Sequence, residues 1–220
     1  MAHIAEELLL LLLDNAAARP RLDRKRREKV LSAAVLLDLA YACRIRPSMA
    51  SEPVPAGRLV ALAGPGTGDP VLDPALDLLL RRPISPALAI AKLRRDTPDN
   101  VLTALERSGQ TKRIHLRTKR FKRQYAWTLT DRSRVTQART ALLSTLFYHH
   151  CPPPSTAAII SLLHAVDGLG ALLSLNDQGW QWVRARAGEI AGGSWVDEGK
   201  SALPEVNLAV TTAAMRQALR

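Results

Sequence analysis

The chain alternates long apolar runs with short polar breaks, a pattern typical of buried helices that pack on one another. Residues 5–13 include six consecutive leucines, Leu8 to Leu13, and are followed by Asp14 and Asn15 as breakers. Residues 30–45, VLSAAVLLDLAYACRI, combine apolar side chains with small ones, which suits a central helix in close contact with its neighbours. The two runs therefore predict a helical core with a short helix at 5–13.

The segments 84–95 and 98–108 predict two consecutive helices. Thr97 is a suitable N-cap, Pro98 suits the first helical turn, and Gly109 suits the position just past the end. Other predicted elements are short strands at 44–49 and 57–63, a turn-rich stretch at 64–76 that becomes helical, a helix capped by Asp131 that ends near 150, and helices at 155–174, 177–192 and 204–219.

A basic β-hairpin is predicted at 112–127, KRIHLRTKRFKRQYAW, because apolar and aromatic residues alternate on both sides of the tip TKRFKR. Seven cations fall in its first twelve residues, with no acid among them. The fold class predicted for residues 1–220 is a single, mainly α domain: a helical core, surrounding amphipathic helices and this protruding hairpin. Its tip consists of Lys119, Arg120, Phe121, Lys122 and Arg123.

Composition adds an excess of positive charge. The 220 residues include 31 Lys and Arg against 20 Asp and Glu, a net charge of +11, which favours a polyanionic partner. The leucine run is far shorter than the roughly 20 apolar residues that span a bilayer. It also follows Glu6 and Glu7 instead of the positive residues of a signal peptide. We therefore expect a soluble protein of the cytoplasm whose membrane contact is peripheral.

Residue patterns for catalysis or metal binding are weak. His149 and His150 point about 100° apart on a helix, and Cys151 beside them has no further ligand at a suitable spacing. Neither Cys43 nor Cys151 belongs to a CxxC motif, and no Gly-x-Ser-x-Gly or His-Glu-x-x-His motif occurs. We expect no enzyme activity, no metal site and no cofactor.

Two classes of acidic partner fit the basic hairpin: a nucleic acid and a membrane surface. Helices 84–95 and 98–108 followed by the hairpin have the order of a winged helix, in which 112–127 would be the wing. Helix 98–108 would then read the major groove, yet it carries Asp99 and Glu106 and only one cation. Acidic side chains repel phosphate, so a winged-helix nucleic-acid-binding protein is the alternative and a membrane is favoured.

Four segments together resemble the Golgi phosphoprotein 3 family. They are EELLLLLLD at 6–14, VLSAAVLLDLAYACRI at 30–45, TGDPVLDPAL at 67–76, and NVLTALERSG at 100–109 with a hairpin after it. Eukaryotic members are mainly helical peripheral membrane proteins that bind phosphatidylinositol 4-phosphate and help to retain glycosyltransferases. The Ala- and Arg-rich composition is typical of a high-GC bacterium, so the Golgi itself is not carried over.

The resemblance also implies site residues. The family's pocket arginine before the NVLTALERSG-like helix falls on Arg95, with Arg94 beside it. Three further pocket positions fall on Pro98, on Ser32, and near Leu22 or Asp23, where the family's side chains are not retained. Neighbouring arginines can rebuild a phosphate site, so the predicted headgroup-binding residues are Arg95, Arg94, Arg26, Arg27 and Arg24.

In the resemblance the hairpin faces the membrane and contributes to oligomerisation. Its tip, from Lys119 to Arg123, would reach headgroup phosphates with the cations while Phe121 enters the acyl boundary. The expected protein therefore lies on the cytoplasmic face of a membrane and binds anionic phospholipid. Membrane enzymes as clients and self-association through the hairpin are further expectations.

Overall fold

The computed structural model describes residues 4–116, 124–197 and 200–220, and this part of the chain is mainly helical, as predicted. Its buried apolar side chains form one cluster that extends from Ile4 to Leu219. The α-helices are α1 (Ile4–Leu13), α2 (Arg24–Tyr41), α3 (Asp73–Arg81), α4 (Pro86–Leu93), α5 (Thr97–Arg107), α6 (Ser133–Phe147), α7 (Pro154–Ala165), α8 (Asp177–Ala191) and α9 (Leu203–Leu219), with a 3₁₀ turn at Leu169–Ala171.

The helices α1 and α2 form the centre of the core. Helix α1 is buried from Leu8 to Leu13 and α2 is buried from Val30 to Ala40, as expected for helices surrounded by other helices. The side chain of Asp38 in α2 accepts hydrogen bonds from the backbone N–H groups of Ile4 at 2.6 Å and Ala5 at 3.1 Å. These bonds satisfy two of the free N–H groups at the start of α1.

Asp38 is a buried acid whose carboxyl group is held by backbone N–H groups. Burial raises the pKa of its carboxyl group to about 8, although the two backbone hydrogen bonds act in the opposite direction. At neutral pH the folded protein therefore holds Asp38 mostly in its protonated form.

The central helix begins earlier than predicted. Asp23 is its N-cap and accepts a hydrogen bond from the backbone N–H of Arg26. The charged residues 24–29 therefore form the first turns of α2. The helix also ends earlier, at Tyr41, because Ile45–Pro47 forms strand β1. The predicted range 30–45 is thus wrong at both ends, and the arginines are helical.

Strand β1 pairs with β2 (Leu59–Ala61) in antiparallel register, with Ile45 opposite Ala61. Both strands are shorter than predicted. On the other side of β2, Leu59 and Ile84 exchange two backbone hydrogen bonds, of 2.8 and 3.4 Å. The small sheet therefore joins the end of α2 to the start of α4.

Helix α5 agrees with the prediction except at its cap. Thr97 is buried within the helix, and its hydroxyl donates to the Leu93 carbonyl at 2.9 Å, so the predicted N-cap role is wrong. Pro98 lies in the first turn and Gly109 follows the helix, both as predicted.

Gly109 has a left-handed backbone, with φ of 70°, and a Cβ placed there would meet no atom within 4 Å. We expect Gly109→Ala to lower the free energy of unfolding by about 1 kcal/mol, from backbone strain alone. Urea denaturation would measure this loss. A neutral or stabilising effect would contradict it, and Gly66→Ala, where φ is not left-handed and space is also open, is the control.

The predicted hairpin is confirmed in its two strands, β3 (Thr111–Leu116) and β4 (Gln124–Leu129), which pair with Arg113 opposite Trp127. The backbone N–H of Trp127 donates to the Ala18 carbonyl at 2.9 Å. This bond holds the hairpin next to the segment that leads into α2. The predicted tip residues Lys119, Arg120, Phe121, Lys122 and Arg123 lie outside the described residues.

Candidate anion-binding site

The first turns of α2 and α5 lie side by side. The carboxylate of Asp99, in the first turn of α5, is close enough to interact electrostatically with both Arg24 and Arg27 of α2. Arg94 and Arg95 follow α4, and Asp96 separates them from α5 in the chain. We call these four arginines, Arg24, Arg27, Arg94 and Arg95, the basic surface.

Arg24 is an exposed member of the basic surface. Its side chain is 82% exposed, and its Nε lies 2.6 Å from Oε1 of Glu28, one turn further along α2. The hydrogen bond to Glu28 raises the pKa of Arg24, and Asp99 adds a smaller effect in the same direction. An exposed ion pair of this kind contributes little to stability, so Arg24 can exchange Glu28 for another anion at low cost.

Arg27 is partly buried. Its Nη1 donates to the Leu22 carbonyl at 3.4 Å. Burial lowers the pKa of Arg27, while the charges of Glu28 and Asp99 act in the opposite direction. A guanidinium group keeps its charge in proteins. Because burial removes part of the hydration of Arg27, an anion placed beside it stabilises its charge.

Arg94 and Arg95 are both exposed. Within the described ranges, neither side chain has a hydrogen-bond or ion-pair partner. Their charges are therefore available to a ligand, beside the start of α5, where the helix dipole also favours an anion.

Arg26 points to a different side of α2. Its Nη1 donates to the carbonyls of Val166 at 3.3 Å and Asp167 at 3.2 Å, and its Nε lies 2.6 Å from Asp23. It lines a separate cleft of about 510 Å³ between α2 and the turn after α7. Adjacent helical residues differ by about 100° in direction, which explains why Arg26 and Arg27 diverge. Of the five predicted arginines, Arg26 therefore lies at this cleft, and the other four form the basic surface.

Three of the residues to which the resemblance assigned pocket positions are internal in this protein. Ser32 is fully buried and its hydroxyl donates to the Glu28 carbonyl at 2.9 Å, while Leu22 is 5% exposed and Pro98 is buried. Asp23, the alternative to Leu22, is exposed and negatively charged. None of the three internal side chains reaches the basic surface as a charged group. Any anion site here depends on arginines at other positions.

Helix α5 presents its acidic residues outward. Its buried face consists of Val101, Leu102 and Leu105. Asp99 is exposed, and Glu106 is occupied by Arg113 of the hairpin at 3.6 Å. The order of elements matches a winged helix, but the helix that would read bases carries the acids predicted to repel DNA.

The described part of the hairpin carries a face of aromatic and cationic side chains, which the predicted alternation of residues does not by itself identify. Arg113 lies 5.1 Å from the Tyr125 ring centre, and the rings of His115 and Tyr125 are 4.6 Å apart. Trp127 continues this face at 6.4 Å from Tyr125. Side chains alternate between the two faces of a strand, so residues 113 and 115 share a face with residues 125 and 127 across the hairpin. This alternation is the sequence signal that could have grouped these four residues.

Within the described residues, no helix is long and apolar enough to cross a bilayer, and no group of His, Cys, Asp or Glu is suited to a metal ion. The fold and site define a mainly helical protein with a cluster of arginines at the start of its central helix. The chain belongs to the Golgi phosphoprotein 3 (GPP34) family, whose family model matches residues 4–212. This confirms the resemblance. The family is known for binding lipids, phosphoinositides among them. Comparison with curated proteins finds no match.

Proposed function

We propose that the protein is a peripheral membrane protein that binds anionic phospholipid through the basic surface. The observation that carries the proposal is the electrostatic contact of Asp99, at the start of α5, with Arg24 and Arg27 of α2. Arg94 and Arg95, which precede Asp99 by five and four residues in the chain, have no side-chain partner in the described part of the chain. The family's lipid binding supports the class of ligand.

The chemistry of the basic surface suits a phosphate headgroup. A guanidinium group can hold two phosphate oxygens at once, and backbone N–H groups at a helix start attract the same charge. Asp99 offsets the mutual repulsion of Arg24 and Arg27 in the free protein. It also repels a phosphate bound beside it, so the attraction for the headgroup comes from the four arginines, which outnumber it. Each basic residue near an anionic membrane contributes about 1 kcal/mol of attraction.

The hairpin supplies the second membrane contact in this proposal. Its hydrogen bond from Trp127 to Ala18 keeps it beside the segment that enters α2, so both basic features can face one bilayer. The ring of Tyr125 suits the headgroup level of a membrane, whereas Trp127 packs against the hydrophobic core and fixes the base of the hairpin. The same proposal places the protein on the cytoplasmic face of a membrane. It also includes membrane enzymes as clients and self-association through the hairpin.

Liposome flotation tests the proposal. The protein should float with vesicles that contain phosphatidylserine or phosphatidylinositol 4-phosphate and not with phosphatidylcholine alone. Arg94→Gln with Arg95→Gln should weaken binding about thirtyfold, from about 1 kcal/mol for each charge. The control is Arg81→Gln with Arg82→Gln, two exposed arginines at the end of α3 that change the net charge equally. If the control variant lost vesicle binding equally, net charge alone would account for the binding, and the basic surface would not be a specific site.

The same preparation tests the alternative partner. A gel shift with duplex DNA across a salt series, combined with no flotation on anionic vesicles, would favour the winged-helix function. Equal binding to phosphatidylserine and phosphatidylinositol 4-phosphate vesicles of matched charge would show that the basic surface does not distinguish phosphoinositides.

A further inference from the structure

An apolar groove of about 430 Å³ lies at the other end of the central helix. It runs between the first half of α9 and the small sheet of β1 and β2, with the residues that flank these strands. Six of its nine lining residues are apolar: Pro47, Met49, Leu62, Leu203, Val206 and Val210. We call it the α9 groove.

The α9 groove keeps large apolar side chains in contact with water. Leu203 is 73% exposed, Met49 59% and Val210 54%. Leu203, Val206 and Val210 are spaced three and four residues apart, so they share one face of α9. A contiguous exposed apolar surface of this kind usually marks a binding site.

The polar groups beside the groove are already engaged. The Asn207 amide donates to the carbonyls of Ala40 at 2.6 Å and Ile45 at 2.8 Å. Pro47 has no N–H, and its carbonyl accepts from Nη1 of Arg46 at 3.0 Å. A peptide in the groove would have few partners for its own backbone groups, which is costly. An aliphatic chain needs no such partner.

One charged residue lines the groove, at the side of β1. Arg46 has a side chain that is 32% exposed, and its Nη2 pairs with Glu52. Because a guanidinium group has five N–H donors, it can hold Glu52 and still donate to a second carboxylate. The groove therefore combines an apolar wall with a cation at its rim.

We infer that the α9 groove binds one fatty acid, with the aliphatic chain along α9 and the carboxylate at Arg46. Helix α2 has 18 residues and spans roughly 27 Å, with Arg24 at one end and Cys43 of the groove just past the other. The groove is therefore a separate site from the basic surface, and the inference does not rest on the lipid headgroup proposal.

Two free cysteines provide a direct test with laurate as the probe. Cys43 lines the groove, whereas Cys151 is exposed elsewhere. Laurate, below the concentration at which it forms micelles, should slow the alkylation of Cys43 by iodoacetamide several-fold and leave Cys151 unchanged, as measured by peptide mass spectrometry. Methyl laurate should protect Cys43 less, because it lacks the carboxylate. No protection of Cys43, or equal protection of both thiols, would overturn the inference.

A variant in the groove wall tests the location. Val210→Asp should weaken laurate binding, measured by calorimetry, at least about tenfold, because it places a charge among apolar side chains. Leu88→Asp, on an exposed apolar position of α4, is the control and should bind laurate like the parent. Flotation on anionic vesicles should persist in Val210→Asp, so the two proposals fail independently. A dimer that Val210→Asp dissociates, with no laurate binding by the parent, would assign the groove to a second copy of the chain and overturn the inference.

Discussion

Asp38→Ala is expected to lower the free energy of unfolding by about 2–4 kcal/mol, since it leaves the buried N–H groups of Ile4 and Ala5 without their acceptor. It also removes a side chain from the contact between α1 and α2. Urea denaturation of the parent and the variant measures the difference. Asp77→Ala, at an exposed position in α3, should change stability by less than about 0.5 kcal/mol. Similar values for the two variants would show that the cap of α1 contributes little.

The same carboxyl group should make stability depend on pH. The folded protein holds the proton of Asp38 up to a pKa of about 8, whereas the ordinary value is 3.8. Between these values the unfolded chain binds fewer protons, so the stability contributed by Asp38 falls as pH rises through the window. Asp38→Asn cannot titrate, so the difference in stability between the parent and Asp38→Asn should change steadily from pH 4 to 8. A constant difference would mean that the folded pKa of Asp38 is ordinary.

Removing the four cations at the hairpin tip should reduce binding to anionic vesicles by about a thousandfold, at about 1 kcal/mol for each charge. The variant replaces Lys119, Arg120, Lys122 and Arg123 with glutamine. Its binding should also depend less on salt, because the part of the screened attraction that the tip supplies is removed while the basic surface remains. Flotation across a salt series measures both effects, and a slope equal to that of the parent would place the electrostatic contact elsewhere.

The ring at the tip makes a separate contribution in this hypothesis. Phe121→Ala should weaken vesicle binding about ten- to a hundredfold, from roughly 1.5–3 kcal/mol of lost burial, while the salt dependence stays nearly unchanged. Unchanged binding by a folded Phe121→Ala protein would show that the hairpin acts by charge alone or in contacts between subunits.

The order of helices could be predicted from the sequence because apolar runs and breakers are local signals. The contact of Asp38 with Ile4 could not, since it joins residues 34 positions apart in the chain. Asp23 is a local signal that would have placed the start of α2 correctly. The apolar run that begins at Val30 is a strong helix signal by itself, which is why the predicted start of α2 is too late.

The residue type of the candidate site, arginine, could be predicted from the sequence. The arrangement of these arginines in space could not. Arginine-rich stretches before two helices indicate an anion site, and the structure brings Arg24 and Arg27 to the start of α5. The partners of Arg26 are carbonyls 140 and 141 residues away, which no local pattern shows. In the sequence, Asp99 disfavours nucleic-acid binding by its negative charge. In the structure, its carboxylate also interacts with Arg24 and Arg27.

The small sheet has a consequence for behaviour at high concentration. Exposed strand edges beside apolar surface usually promote aggregation through strand addition. On one side of this sheet Pro47 lacks an N–H and Asn207 holds the Ile45 carbonyl, and on the other side Ile84 pairs with Leu59. An incoming strand therefore finds few backbone partners. We expect that the protein can keep an open apolar groove next to this sheet without forming cross-β assemblies.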